Sequence, residues 1–315
     1  MRILITGSSG FIGFHLSNLL LKKKNKIIGL DNHNSYYSSS IKLKRLSILR
    51  KKKLFKFFKI NLLNKKKVKK IFELYKPEII FHLAGQPGVL YSFKNPKSYY
   101  DNNVVATKNL CKLAKEFNVK KFIFASSSSV YGDQKKYPIS ENAKLNPKNP
   151  YALTKRKSEK IVFSILEKKI KFVIFRFFTV YGPLGRPDMF IHKLLNSIKK
   201  NSKIYLHNNG LNFRDFTYID DVTDILNLSI NKDLNKSIIN ICRSNPIRTD
   251  VLLKIIKKLY KLKKFNITKI KSVRGEMLKT HGSNRKLKNI FKKKKFKNFN
   301  EGLKKTVNYY KKFGY

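Results

Sequence analysis

The sequence predicts an α/β fold, a doubly wound parallel sheet with helices on both faces and a smaller C-terminal α/β lobe. Three observations carry that expectation. Short apolar runs alternate with helical patterns along the chain: KIIGLD, FKFFKINL, PEIIFHLAG, KKFIFASS, KFVIFRFF and KSIINICR. The opening run MRILIT is closed by glycines at three-residue spacing, Gly7, Gly10 and Gly13, before an apolar helical stretch through Leu21. With 315 residues, 42% of them hydrophobic, the chain can bury a large core. The expected division is a first domain over 1–175 and a second, mainly ligand-binding lobe over 176–315, the chain crossing back around 210–240.

The first unit is the most informative element. A glycine at a strand end permits a sharp turn, the next lets backbone approach a pyrophosphate, and the third lets helix pack on strand. The helix N-terminus offers amide donors and a partial positive charge to phosphates. Asp31 closes the second strand, where its carboxylate would accept from ribose hydroxyls. A 2′-phosphate beside that carboxylate would be repelled, so the pattern points to NAD rather than NADP.

Composition restricts the remaining classes. No apolar run approaches membrane-spanning length. Met1 leads directly into the first strand, so the expectation is a chain without a signal peptide. Cys111 and Cys242 are far apart and, like the six histidines, show no metal-ligand spacing, which suggests a reducing cytoplasm and no metal. Lysine and arginine total 71 against 18 acids, a formal charge of +53. A dedicated nucleic-acid partner is not the best reading of this excess. It is mostly lysine, it is spread over the chain, and it accompanies the Asn, Ile, Phe and Tyr of a composition biased toward A and T codons. Its physical consequence is attraction of anionic ligands, weakening with salt.

The candidate chemistry lies at Tyr151 and Lys155 in PYALTK, downstream of Ser126–Ser129 in FASSSSVYGD. Residues at i and i+4 share a helix face. An ammonium near a phenol favours the phenolate. At about 4 Å and an effective dielectric of ~20 the attraction is roughly 4 kcal/mol, up to about three pKa units before desolvation is subtracted. Such a tyrosine can move a proton on and off a hydroxyl near neutral pH. Alone the spacing is weak, since a packed tyrosine and a solvated lysine would give the same pattern; for the serines the alternative is a polar strand end that caps neighbouring backbone.

Taken together, GSSGFIG, HLAG, Asn103 in YYDNNVVATKNL, FASSSSVYGD, Tyr151-x-x-x-Lys155 and RDFTYIDD resemble an extended short-chain dehydrogenase/reductase, and more narrowly a sugar-nucleotide 4-epimerase. RFFTVYGPLGRPDM and DNHNSYYSSSIKLKRL are similar to UDP-glucuronate 4-epimerases in particular. The resemblance implies a Rossmann lobe with NAD along Gly7, Gly10, Phe11, Ile12, Gly13, Asp31, Asn61, Leu62, Leu83, Ala84 and Asn103, reaching Tyr151 and Lys155. It implies that Tyr151 exchanges a proton with the sugar 4-hydroxyl, that Lys155 binds the nicotinamide ribose, and that Ser127 bridges substrate and Tyr151. It also implies a UDP-sugar between the lobes and a homodimer built on helices around 99–117 and 151–167.

Related dehydratases carry an Asp-Glu pair after the catalytic hydroxyl, and decarboxylases a glutamate; here stand Ser128 and Ser129, so elimination is disfavoured. Thr179 and Arg186, with Ser128 and Ser129, are the expected carboxylate pocket, because an arginine fork matches a carboxylate. Arg186 as an ordinary loop residue is the alternative. Arg214 is expected at the UDP diphosphate, or else in a salt bridge with Asp215, Asp220 or Asp221; Asp215 and Tyr218 read equally as structural. His82 is expected to pack near the cofactor loop without catalytic work. The chain departs from the family at Asn61 (usually aspartate), Gly85 (usually alanine), Leu90 (usually arginine) and Arg274-Gly275-Glu276 (usually Pro-Gly-Asp). The leading expectation is a UDP-glucuronate 4-epimerase, then a UDP-glucose or UDP-N-acetylglucosamine 4-epimerase, and from another class an NAD-binding scaffold or polyanion binder.

Overall fold

The computed structural model describes residues 1–262, 265–271, 275–293 and 295–314. The first half alternates strand and helix: β1 (Arg2–Thr6), α1 (Phe11–Lys22), β2 (Lys26–Asp31), α2 (Ser39–Arg50), β3 (Phe55–Lys59), α3 (Lys65–Tyr75) and β4 (Ile79–His82). Two short helices, α4 (Val89–Lys94) and α5 (Pro96–Tyr99), run through a π-helical segment, Tyr100–Val105, into α6 (Ala106–Glu116). Then come β5 (Lys121–Ser127), α7 (Pro150–Leu166) and β6 (Lys171–Phe177). Beyond β6 the elements shorten: β7 (Thr179–Tyr181), α8 (Phe190–Lys199), β8 (Ile204–His207), β9 (Phe213–Arg214), β10 (Phe216–Tyr218), α9 (Ile219–Leu228) and β11 (Ser237–Ile241). The chain ends with β12 (Ile247–Arg248), α10 (Thr249–Tyr260), β13 (Ile267–Ile270), α11 (Arg285–Phe291) and α12 (Phe299–Phe313).

The central sheet has seven strands in the order β11-β6-β5-β4-β1-β2-β3, with every neighbouring pair parallel. The fold is the doubly wound α/β class. Its strands are apolar on both faces because helices cover both, and the two-residue side-chain period divides them between two cores. Ile3, Ile5, Phe81, Ile123 and Phe175 face the core shared with α1, α2 and α9. Leu4, Ile80, Phe122, Phe124 and Ile174 face the core shared with α3, α6 and α7.

Strand order reverses between β1 and β4, opening a crevice at their C-terminal ends where such folds bind ligands. Two glycines make the first turn possible. Gly7 has a φ of +71°, and a Cβ there would lie 2.8 Å from the Ala84 amide nitrogen. At Gly13 a Cβ would collide with the Gly7 carbonyl, so only glycine lets α1 approach the turn. The remaining strands form pairs beside this crevice: β7 with β10 and β8 with β13 in parallel, β9 with β12 antiparallel. The segment expected as one helix over 99–117 is divided between α5, the π-helical turn and α6. Among the described residues no helix is long and apolar enough to cross a membrane.

Candidate active site

A cleft of about 1040 Å³ opens at the switch point and extends over β7, β8 and β9. Almost every residue named from the sequence lines it. On one side lie Gly7, Gly10, Phe11, Ile12, Gly13, Asp31, Asn61, Leu62, Leu83 and Ala84; on the other Thr179, Arg186 and Arg214; between them Ser127, Ser128, Ser129, Tyr151 and Lys155. The exception is Asn103, which is buried behind the wall. Its carboxamide receives the Gln86 amide (2.7 Å) and donates to Thr154 Oγ1 (3.0 Å) and the Gln86 carbonyl (3.2 Å). It therefore holds the loop after β4 rather than facing the cleft.

The end of β5 is stitched to α7. Lys155 Nζ donates to the Ala125 carbonyl at 2.8 Å, the Ser126 hydroxyl donates to Glu159 Oε1 at 2.5 Å, and Ser127 shares a side-chain hydrogen bond with Tyr151. Ser127 Oγ also accepts from the amide and hydroxyl of Ser129, at 3.2 and 2.9 Å. Tyr99 meets Tyr151 edge-on, ring centroids 6.1 Å apart. Burial lowers Lys155 to about 8, with Glu159 opposing the shift.

The expected lowering of the Tyr151 phenol by its i+4 lysine is not found in the structure. Burial holds the phenol above its ordinary value, while the Ser127 hydrogen bond and the Arg186 charge pull it down. The physical reason is direction. The helix puts the two residues on one face, but the ammonium turns inward to the Ala125 carbonyl.

Asp31 accepts from the amides of Ser9 (3.1 Å) and His33 (2.9 Å) at the end of β2. The N-cap of α1 is Gly10, which brings no side-chain acceptor to the first-turn amides. Lys42, unnoticed in the sequence, reaches the same region, its Nζ 2.6 Å from the Asn34 carbonyl and 4.5 Å from the centre of the Tyr37 ring. His82 packs behind the loop between Thr6 Oγ1 (2.8 Å) and Thr107 Oγ1 (2.9 Å), and burial lowers it to about 3. Burial keeps this imidazole neutral, with both ring nitrogens engaged.

Across the cleft, Arg186 holds Asp188 bidentately (Nε–Oδ1 3.0 Å, Nη2–Oδ2 2.5 Å), and the Tyr36 hydroxyl donates to Asp188 Oδ2 at 3.1 Å. Arg214 pairs with Glu276 (2.9 Å), and none of the three aspartates proposed from sequence is its partner. Asp215 instead accepts from the amides of Arg243, Ser244 and Gly282, an internal strap that needs no cation. Asp221 pairs with Lys293 at 2.9 Å. The second oxygen of Glu276 lies 3.0 Å from His207 Nδ1, so this departure from the expected aspartate joins two cleft residues. Arg274 lies outside the described residues. Leu90 lines the cleft mouth, largely exposed, and brings no charge there.

Residues 3–242 match the NAD dependent epimerase/dehydratase family. The chain belongs to that family. Among its relatives, a UDP-glucuronate 4-epimerase of Thermodesulfobacterium geofontis is 37% identical over 319 residues, covering 98% of this chain and 95% of that protein. An uncharacterized protein of Methanocaldococcus jannaschii is also 37% identical, over 314 residues, 98% of this chain and 96% of its own. The structure of a Bacillus cereus UDP-glucuronic acid 4-epimerase in complex with UDP-glucuronic acid and NAD superimposes with a TM-score of 0.94 at 30% identity, over 99% of both chains.

As an epimerase/dehydratase family member, the chain has three cleft residues that sequence reasoning missed as a group: Tyr36, Asp188 and His207. Tyr36 and Asp188 lay inside the recognised blocks NSYYSSS and GRPDM, so the signal was present; their convergence across 152 positions was not. His207 carried no motif at all.

Proposed function

We propose that the protein is an NAD-dependent UDP-sugar 4-epimerase that interconverts UDP-glucuronate and UDP-galacturonate. The observation that carries the reading is the meeting in one cleft of a Ser127–Tyr151 pair with Thr179, Ser128, Ser129 and Arg186. The dinucleotide fits the residues present: a bare glycine turn, uncapped first-turn amides for phosphates, and the Asp31 carboxylate for a ribose. NAD, when bound, supplies the acceptor and donor of a hydride.

Tyr151 takes the proton of the sugar 4-hydroxyl as C4 is oxidised and gives one back after the ketone has turned over, so the sugar ends inverted with no net redox change. Ser127 holds the same oxygen through its hydroxyl. Lys155, kept cationic by Glu159, orients ribose hydroxyls and supports the phenolate. Ser128 and Ser129 have no acid or base function at neutral pH, so neither a C5–C6 elimination nor a loss of carboxylate is promoted. The hydroxyls around Arg186 hold a carboxylate fixed while C4 is a ketone. This matters because a β-keto acid otherwise sheds CO₂.

In this reading 1–175 carries NAD and 176–315 mainly the UDP-sugar, with Arg214 at the diphosphate. Exposed Tyr100 and Leu153 on adjoining helical segments support a homodimer through that face. Two buried free cysteines, Cys111 and Cys242, are compatible with a cytoplasmic location. A UDP-glucose 4-epimerase is the second reading, favoured by the pairing of Arg186 with Asp188 and by Leu90 at the mouth.

The test is incubation of the purified protein with UDP-glucuronate, UDP-glucose and UDP-N-acetylglucosamine, with chromatographic resolution of the 4-epimers. UDP-galacturonate as the main product supports the proposal. Turnover of UDP-glucose alone favours the second reading, and a UDP-pentose with CO₂ overturns both.

A further inference from the structure

Arg186 has its Nε–Nη2 edge filled by a carboxylate two residues away in the same loop. That carboxylate is fixed from a second direction by Tyr36, which belongs to the loop before α2. Both Arg186 and Asp188 line the cleft, each about a fifth exposed (23% and 20%), so the pair borders the space a ligand enters. A guanidinium has five N–H donors; two are engaged by Asp188, and the rest remain on the other edge. Arg186 and Asp188 also act on Tyr151 in opposite senses, the cation favouring the phenolate and the anion opposing it.

We propose that Asp188 is a built-in carboxylate that competes with a ligand carboxylate for Arg186, and so sets both the preference for an acidic sugar and the share of Arg186's charge that reaches Tyr151. The first half of this rests on the uronate reading of the site; the second does not. Asp188 is a positioning and specificity-determining residue rather than a catalytic one. It exchanges no proton in the reaction; it holds Arg186 and opposes that cation's effect on the phenol with its own charge.

Charge bookkeeping explains the two effects. With Asp188 in place, the loop presents a neutral pair, and an incoming uronate adds a net negative charge beside the phenol. With an amide at 188, the side-chain shape is kept but only one of the two guanidinium donors finds an acceptor, and the cation is unbalanced until an acidic ligand arrives. An acidic sugar then gains a charge-assisted pair that a neutral sugar cannot use. Of the other groups near Tyr151, Ser127 from β5, Tyr99 from α5 and Lys155 on its own helix, its ammonium turned to the Ala125 carbonyl, do not touch residue 188. Tyr36 from the loop before α2 donates to it and keeps an oxygen acceptor in the amide.

The experiment compares wild type, Asp188→Asn and Asp188→Glu, each saturated with NAD, using UDP-glucuronate and UDP-glucose. In Asp188→Asn the ratio of UDP-glucuronate to UDP-glucose affinity, measured by calorimetry, rises about tenfold. The acid limb of the UDP-glucose pH–rate profile moves down by about half a pH unit, because the unbalanced cation favours the phenolate. Asp188→Glu returns both toward wild type. A structural role alone would lower activity without moving the limb or the ratio.

An unchanged limb and an unchanged ratio in a folded Asp188→Asn enzyme overturn the proposal while leaving the epimerase reading intact. If the wild type ignores UDP-glucuronate, the uronate reading fails, and the limb measured on UDP-glucose still decides the charge effect. Should Asp188→Asn not fold, Tyr36→Phe serves. It removes the donor that shares Asp188 Oδ2 with Arg186 and so tightens the internal pair; the affinity ratio falls about threefold, and no change in the ratio overturns the proposal.

Discussion

The Glu159–Arg176 pair gives the sharpest stability prediction. Its side chains are 6% and 3% exposed, Arg176 reaches Glu159 twice (Nε–Oε1 2.9 Å, Nη2–Oε2 2.8 Å), and Ser126 adds a third bond. Arg176 Nη1 also donates to the Tyr131 hydroxyl at 3.0 Å, which in turn donates to Asn240. Glu159→Gln keeps the shape but leaves a buried guanidinium facing an amide that can accept only one of its two donors. Breaking a buried pair from one side costs about 3–5 kcal/mol. Against a total of about 5–15 kcal/mol for a folded domain, that is a large fraction. At about 2–4 °C per kcal/mol the melting temperature falls by at least about 6 °C. The assay is thermal unfolding by circular dichroism at one fixed saturating NAD concentration, since bound ligand itself shifts the midpoint. Replacing both residues by methionine removes both charges, and the double variant should lie within about 2 kcal/mol of wild type. Two results refute the reasoning: a loss below about 1 kcal/mol in Glu159→Gln, or a double variant as unstable as the two single changes added together.

Four further outcomes are expected. Tyr151→Phe should lower kcat by about 10²–10⁴ with NAD affinity unchanged, measured by turnover and by equilibrium binding; a smaller loss removes Tyr151 from proton transfer. Burial lowers Lys155 to about 8, so the free enzyme carries the ammonium below that pH and loses it above. kcat/KM should therefore fall on the alkaline side with a midpoint near 8, and a profile flat to about pH 9.5 contradicts the role given to its charge. Lys121 donates its ammonium to the carbonyls of Ser229 (2.9 Å), Ile230 (3.0 Å) and Lys232 (2.5 Å) at the end of α9, so Lys121→Met should lower melting by about 2–4 °C, roughly 1 kcal/mol, with KM unchanged. Between about 20 and 200 mM salt, kcat/KM should fall at least about threefold at constant kcat if the surface lysines steer the anionic ligand; an unaltered value rejects steering.

The features legible in the sequence are those whose physics is local. The glycine turn was readable because φ at Gly7 and the approach of α1 at Gly13 admit no Cβ, and each strand of the large sheet is a short apolar run bounded by polar residues. Strands of two or three residues, such as β9 and β12, leave no period to read, since their pairing is decided by partners far along the chain. The same limit applies inside the cleft. Helical spacing put Tyr151 and Lys155 on one face, but the direction of a four-carbon side chain depends on which carbonyl lies within reach, and that was Ala125. For Arg214 the sequence offers, beside the diphosphate, only its nearest aspartates as partners, whereas Glu276 lies 62 positions away.

The formal charge of +53 extends to the cleft, where Lys42, Lys155, Lys193, Lys200 and Lys203 line the wall, but its two arginines are not bare. Both arginines that line it among the described residues are neutralised by a carboxylate, Arg186 by Asp188 and Arg214 by Glu276. A chain with 18 acids places three of them there, and two, Asp188 and Glu276, stand against arginines that an anionic ligand would otherwise find bare. Exposed lysines act over about 8–10 Å before salt screens them, which draws any polyanion toward the surface without distinguishing one from another. Discrimination has to arise where desolvated pairs are exchanged, because only there does exchanging one carboxylate for another change the energy by more than screening removes. On this reasoning the excess lysine bears on how fast an anion arrives, and the Arg186–Asp188 pair bears on which anion stays.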